Sequence, residues 1–104
     1  MDTLNRLEAT VTERLSADPG SSYVASLKAK GLPTIACKLG EEATEAVVAA
    51  LSGSDEELVG EAADVLFHLT VLLAAKGIAL DRVMAELERR QGTSGLAEKA
   101  ARSR

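Results

Sequence analysis

Five carboxylates between Pro33 and Lys76 are the groups in this chain best placed to do chemistry, because they recur at helical spacing within stretches that are otherwise apolar. One group reads Lys38-Leu39-Gly40-Glu41-Glu42-Ala43-Thr44-Glu45 and the other Glu61-Ala62-Ala63-Asp64-Val65-Leu66-Phe67-His68. Side chains three or four residues apart lie side by side on a helix. Glu42 therefore pairs with Glu45, Glu61 pairs with Asp64, and Glu41 can join the first pair. Hard divalent cations such as Mg²⁺ take oxygen ligands, and Mg²⁺ commonly binds a few carboxylates while keeping waters and phosphate oxygens in its shell. A lone Glu-x-x-Glu reads most simply as a solvated face. The second pair, however, falls on a helix with no evident solvent side, where carboxylates must be paired, protonated or metal-bound. Glu42, Glu45, Glu61 and Asp64 are accordingly the expected metal ligands.

Two long helices must position these groups. The first is predicted from Pro33, well suited to a first helical turn, to about Leu51. At about 100° per residue, Ile35, Leu39, Ala43, Ala46, Val47 and Ala50 form one apolar face, with Lys38, Glu42 and Glu45 along its margin. Ser52-Gly53-Ser54 makes the turn, and Ser54 with Glu57 matches a capping box that opens the second helix, Asp55 to Lys76. From Leu58 onward apolar residues surround that helix, as expected of one buried on more than one side. Its polar exceptions Glu61, Asp64 and His68 share a stripe. His68 reads as a hydrogen-bonded core residue rather than a catalyst, and Cys37 as a small buried hydrophobe. Lys38 is either an i, i+4 partner of Glu42 or a phosphate contact.

The remaining elements are shorter. Leu4, Leu7, Val11 and Leu15 mark an amphipathic helix over residues 3–17, with Asp2 or Thr3 as its cap. After the turn Asp18-Pro19-Gly20, a serine starts a short helix through Lys30 that Gly31 ends, and Asp81 caps a last helix to about Arg90. Residues 91–104 have little to bury and read either as a frayed, flexible tail or as a segment ordered by a ligand or partner. The chain of 104 residues is thus expected to be one all-α domain, an antiparallel bundle of four to five helices. A helix as apolar as Leu58 to Ala75 needs more cover than one short chain gives, so a homodimer is expected to complete the core.

A net charge of −4 argues against binding a nucleic-acid backbone, which needs a concentrated basic surface. Cations held by carboxylates would still let an acidic protein bind a polyphosphate. The single cysteine excludes an internal disulfide and a cysteine-rich zinc site, and no secretion signal is evident at the N-terminus. Leu69 to Ala75, the longest apolar run once its interruption by Thr70 is allowed, is too short to span a bilayer. A cytoplasmic protein without membrane contact is expected.

The motif Lys38-x-Gly40-Glu41-Glu42-x-x-Glu45, fifteen intervening residues, then Glu61-x-Ala63-Asp64 resembles that of the MazG-like all-α nucleoside triphosphate pyrophosphohydrolases. The run Glu61 to Leu73, the tail Ser94-Gly95-Leu96-Ala97-Glu98-Lys99-Ala100-Ala101-Arg102 and Ala29-Lys30-Gly31 narrow the resemblance to phosphoribosyl-ATP pyrophosphohydrolases. Phe67 departs from the tyrosine frequent there and lacks its hydroxyl. The resemblance implies Mg²⁺-dependent hydrolysis of 1-(5-phosphoribosyl)-ATP to 1-(5-phosphoribosyl)-AMP and pyrophosphate, the second step of L-histidine biosynthesis. Some members are fused to a zinc-dependent cyclohydrolase, for which 104 residues with a single cysteine are expected to leave no room. Glu41 is the first candidate for the base that takes a proton from the attacking water, and Lys99 and Arg102 are expected to close over substrate phosphates. The alternatives are a pyrophosphatase acting on a (deoxy)nucleoside triphosphate, and a non-catalytic helical metal-binding or dimerisation module. A di-iron bundle of the latter kind would usually add a histidine three residues after a glutamate on two helices, a spacing absent here.

Overall fold

The computed structural model describes residues 2–92 and 95–102, and the described residues form α-helices and no strand. The first helix, α1 (Thr3–Arg14), begins where the Asn5 amide donates to the Asp2 carboxylate at 2.8 Å. Such a cap satisfies one of the amides that a helix start leaves without an intrahelical acceptor. Ser22 does the same for α2 (Tyr23–Lys30), accepting from the Ala25 amide at 3.2 Å. Gly31 then joins α2 to α3 (Leu32–Ser52) at φ 105°, a conformation that any side chain would strain, and Pro33 follows in the first turn. α4 (Asp55–Ala75) opens on the expected capping box: the Glu57 amide donates to Ser54 Oγ at 3.2 Å, and the Ser54 amide donates to Glu57 Oε1 at 3.4 Å.

The last two helices depart from expectation. α5 (Leu80–Gln91) is not capped by Asp81, which lies inside its first turn; the capping position is Ala79, which has no acceptor to offer. The Leu80 amide instead donates to Glu8 Oε2 of α1 at 2.7 Å, an acceptor brought from 72 residues away. Beyond Gln91, of the two readings of the tail the ordered one is found: Gly95–Arg102 forms α6, with Lys99 and Arg102 in a last turn that favours cations. Six helices therefore stand among the described residues, where four to five were predicted.

α3 and α4 form a long antiparallel hairpin, and the core grips only one end of it. Val11, Val24, Leu27, Ile35 and Val71 are buried together there, with Leu7, Leu15, Phe67 and Leu72 packed around them. Toward the Ser52-Gly53-Ser54 turn this cover runs out. Val47, Val48, Leu51, Val59 and Leu66 are 58%, 56%, 84%, 69% and 46% exposed. The apolar face predicted for α3 is thus largely open within one chain: Ile35 is buried, but Ala43, Val47 and Ala50 are exposed, and the residues turned toward α4 include Glu42 and Ala49. Cys37, expected to be buried, is exposed. α4 is also long and apolar enough by length and composition to cross a membrane, a reach that the short run Leu69 to Ala75 does not convey. In this fold α1 and α3 pack along it.

Candidate metal centre

The acids of α3 and α4 meet where the two helices lie side by side. Carboxylate oxygens of Glu42, Glu45 and Glu61 all fall within 4.8 Å of one another. One oxygen each of Glu42 and Glu61 is sealed from solvent with no hydrogen-bond partner. Buried polar atoms are rarely left so. Burial pushes the Glu42 carboxyl above its ordinary value, contact with Glu45 pushes it further, Asp64 adds to the rise, and His68 draws it partly back. Burial also raises Glu61, followed by the charge and contact of Glu45 and the charges of Asp64 and Glu42.

Three ionised carboxylates this close repel one another, so they must share protons or hold a cation. The two orphaned oxygens beside Glu45 form an all-oxygen donor set, which fits a hard divalent cation such as Mg²⁺. The other predicted residues surround this group. Asp64 is exposed one turn along α4, outside the three but near enough to raise both Glu42 and Glu61. Lys38 takes Glu41 as its partner at 3.2 Å, not Glu42, and that contact raises the Lys38 ammonium. Glu41 therefore stands beside the cluster, held by a lysine. Lys99 and Arg102 stand exposed on α6. A groove of about 280 Å³ runs from Glu45 and Glu61 past Thr44 and Val48 to Ser52 and Glu57 near the hairpin turn.

At the other end of the acidic seam, His68 is 5% exposed and bonded through both ring nitrogens, as a core histidine should be. Its Nδ1 lies 2.8 Å from the Asp64 carbonyl oxygen and its Nε2 3.1 Å from the Tyr23 hydroxyl. Tyr23 is the neighbour that sequence reasoning missed. Its partner lies 45 residues away, and nothing local to α2 points to it.

The sequence profile described as phosphoribosyl-ATP pyrophosphohydrolase matches residues 4–91. Among similar proteins, the phosphoribosyl-ATP pyrophosphatase of Erythrobacter litoralis is 69% identical over 98% of this chain and 98% of its own length. That of Novosphingobium aromaticivorans is 63% identical over 98% of this chain and 95% of its own. The Rhodobacter capsulatus protein of the same name is 60% identical, covering 98% and 99%.

Proposed function

The chain belongs to the phosphoribosyl-ATP pyrophosphohydrolase family, and from that premise we propose that it hydrolyses 1-(5-phosphoribosyl)-ATP to 1-(5-phosphoribosyl)-AMP and pyrophosphate in L-histidine biosynthesis. The observation that carries this reading to particular residues is the pair of sealed, partnerless oxygens of Glu42 and Glu61 beside Glu45. Glu42, Glu45 and Glu61, with Asp64 at their edge, would hold Mg²⁺. When bound, Mg²⁺ supplies positive charge against the triphosphate and the departing pyrophosphate.

The chain's own residues do the rest in this reading. Lys38 exchanges Glu41 for a phosphate oxygen, a move open to a flexible ammonium on a half-exposed side chain. Glu41, so released, accepts a proton from the attacking water as the water oxygen bonds to phosphorus and the bridge between the α- and β-phosphates breaks. Lys99 and Arg102, both in the last turn of α6, bring further positive charge to the phosphates. We read the whole of residues 1–104 as one catalytic domain acting in the cytoplasm on a small molecule, without nucleic acid or membrane. A homodimer, in which a second copy covers the bare outward surfaces of the hairpin, completes the core.

Pyrophosphate release from phosphoribosyl-ATP, measured beside ATP and the deoxynucleoside triphosphates with and without Mg²⁺, tests this. Preference for phosphoribosyl-ATP that needs Mg²⁺ and disappears in Glu45→Gln is the expected result. Preference for a deoxynucleotide would move the substrate assignment, and no activity on any of them would leave only a metal-binding module. In the same assay, unchanged turnover of Glu41→Gln would remove Glu41 as the base. Unchanged kinetics in Lys99→Ala/Arg102→Ala would remove the α6 cations.

A further inference from the structure

This chain has two aromatic residues and one histidine, and all three rings come together. Tyr23 stacks on Phe67 with centroids 6.2 Å apart and planes 22° apart. His68 meets both edge-on, at 5.9 Å from Tyr23 and 5.1 Å from Phe67. Phe67 and His68 are wholly or partly covered, but Tyr23 is 50% exposed. The cluster borders the acidic seam. His68 bonds the carbonyl of Asp64 on α4, the helix that carries Glu61.

The hydrogen bonds fix the direction of the link. A carbonyl oxygen only accepts, so His68 Nδ1 carries the proton donated to Asp64. In the neutral ring Nε2 is then an acceptor, and the Tyr23 hydroxyl donates to it. A half-exposed tyrosine is usually loose at its outer end. This one is tethered by its hydroxyl to a buried ring that is itself tied to α4. The outcome is a flat, half-exposed aromatic surface tied through His68 to the helix of Glu61 and Asp64, beside the acids that the proposed function gives to the cation and its phosphates.

We propose that Tyr23 is the platform on which the adenine of the substrate stacks, and that His68 is a positioning residue acting through the Tyr23 hydroxyl. The inference rests on the reading of phosphoribosyl-ATP as substrate. Every base has a π-face that an aromatic ring can cover, and a rigid ring loses little freedom when it does so. Phosphates on the acids and their cation would thus leave the base to Tyr23.

The test compares Tyr23→Leu and Tyr23→Phe with the unaltered chain. It reads KM and kcat for phosphoribosyl-ATP, and the inhibition constant of inorganic tripolyphosphate, which has no base. Losing the stack should raise KM about 5- to 100-fold in Tyr23→Leu, and losing only the tether should raise it about threefold in Tyr23→Phe. The tripolyphosphate constant should not move in either variant. A merely structural role would weaken tripolyphosphate and substrate together, and that result overturns the inference, as does an unchanged KM. A second measurement needs no variant: Tyr23 is the only tyrosine in a chain without tryptophan, so tyrosine emission reports on it alone. Phosphoribosyl-AMP with Mg²⁺ should quench that emission and tripolyphosphate with Mg²⁺ should not; equal responses would refute stacking even if Tyr23→Leu failed to fold. Absence of phosphoribosyl-ATP turnover by the unaltered chain would remove the substrate reading, and the inference with it.

Discussion

Replacing Val47 and Leu66 together by aspartate should break the association of two chains while leaving each chain folded. Val47 on α3 and Leu66 on α4 are 58% and 46% exposed, so about half of each side chain remains to be covered by a partner. Full burial of such a side chain is worth about 1.5–3 kcal/mol, and the uncovered half is therefore worth about 1 kcal/mol. Two positions on each of two symmetric chains give about 4 kcal/mol, or roughly a thousandfold in the dimer dissociation constant. That is a lower bound, since a carboxylate forced into an apolar interface adds a desolvation cost of its own. Within one chain both positions already meet water, so the far-ultraviolet circular dichroism of the double variant should match that of the parent. Sedimentation equilibrium from nanomolar to tens of micromolar protein reads the constant directly. A parent chain that stays monomeric throughout, or a variant that dimerises as tightly as the parent, would refute the reasoning.

Two further outcomes follow from the charges. The raised carboxyls of Glu42 and Glu61 mean that the metal-free native state keeps protons that the unfolded chain has already released. Between the ordinary carboxylate range and those raised values, the stability they contribute is present at the lower pH and lost as pH rises. Calorimetric melting in a chelator should accordingly show this cluster favouring the native state more at pH 5 than at pH 7.5, and Mg²⁺ should restore the difference at pH 7.5; a metal-free chain with no such loss would contradict the account. Glu8→Ala should cost about 1–2 kcal/mol by leaving the Leu80 amide without its acceptor. Urea unfolding measures this, and an unchanged midpoint would show that water replaces the carboxylate without loss.

Much of the architecture was legible because it is local. The capping box at Ser54 and Glu57, the turn at Gly31 and the pairing of Glu42 with Glu45 each depend on residues at most a turn apart, and each is found as expected. What could not be read is non-local. The Leu80 amide takes Glu8 as its acceptor, and nothing near Asp81 says that an acceptor will arrive from α1. His68 and Tyr23 are unremarkable until α2 is laid against α4. The apolar face of α3 is apolar as expected, but much of it is left uncovered within the chain. Periodicity shows which residues avoid water, not whether the same chain or another one covers them. Lys38 illustrates a finer limit: spacings of three and four are both within reach on a helix, and the choice of Glu41 over Glu42 follows from Glu42 being turned into the seam.

The one-ended core gives the α3–α4 hairpin an uneven lifetime along its length. Near Ile35 and Val71 an amide is released only when α1 and α2 let go as well, so hydrogen exchange there follows global unfolding. Near the Ser52-Gly53-Ser54 turn no such cluster stands behind the helices, and within a single chain fraying can start without disturbing the rest. Glu42, Glu45 and Glu61 sit at the border between these regimes. A ligand bound there would act as a rivet, closing the loose half onto the anchored half, and part of its intrinsic affinity would go into that ordering. Were the product held at these acids, the same fraying that makes the far half costly to close would also open a way out for it.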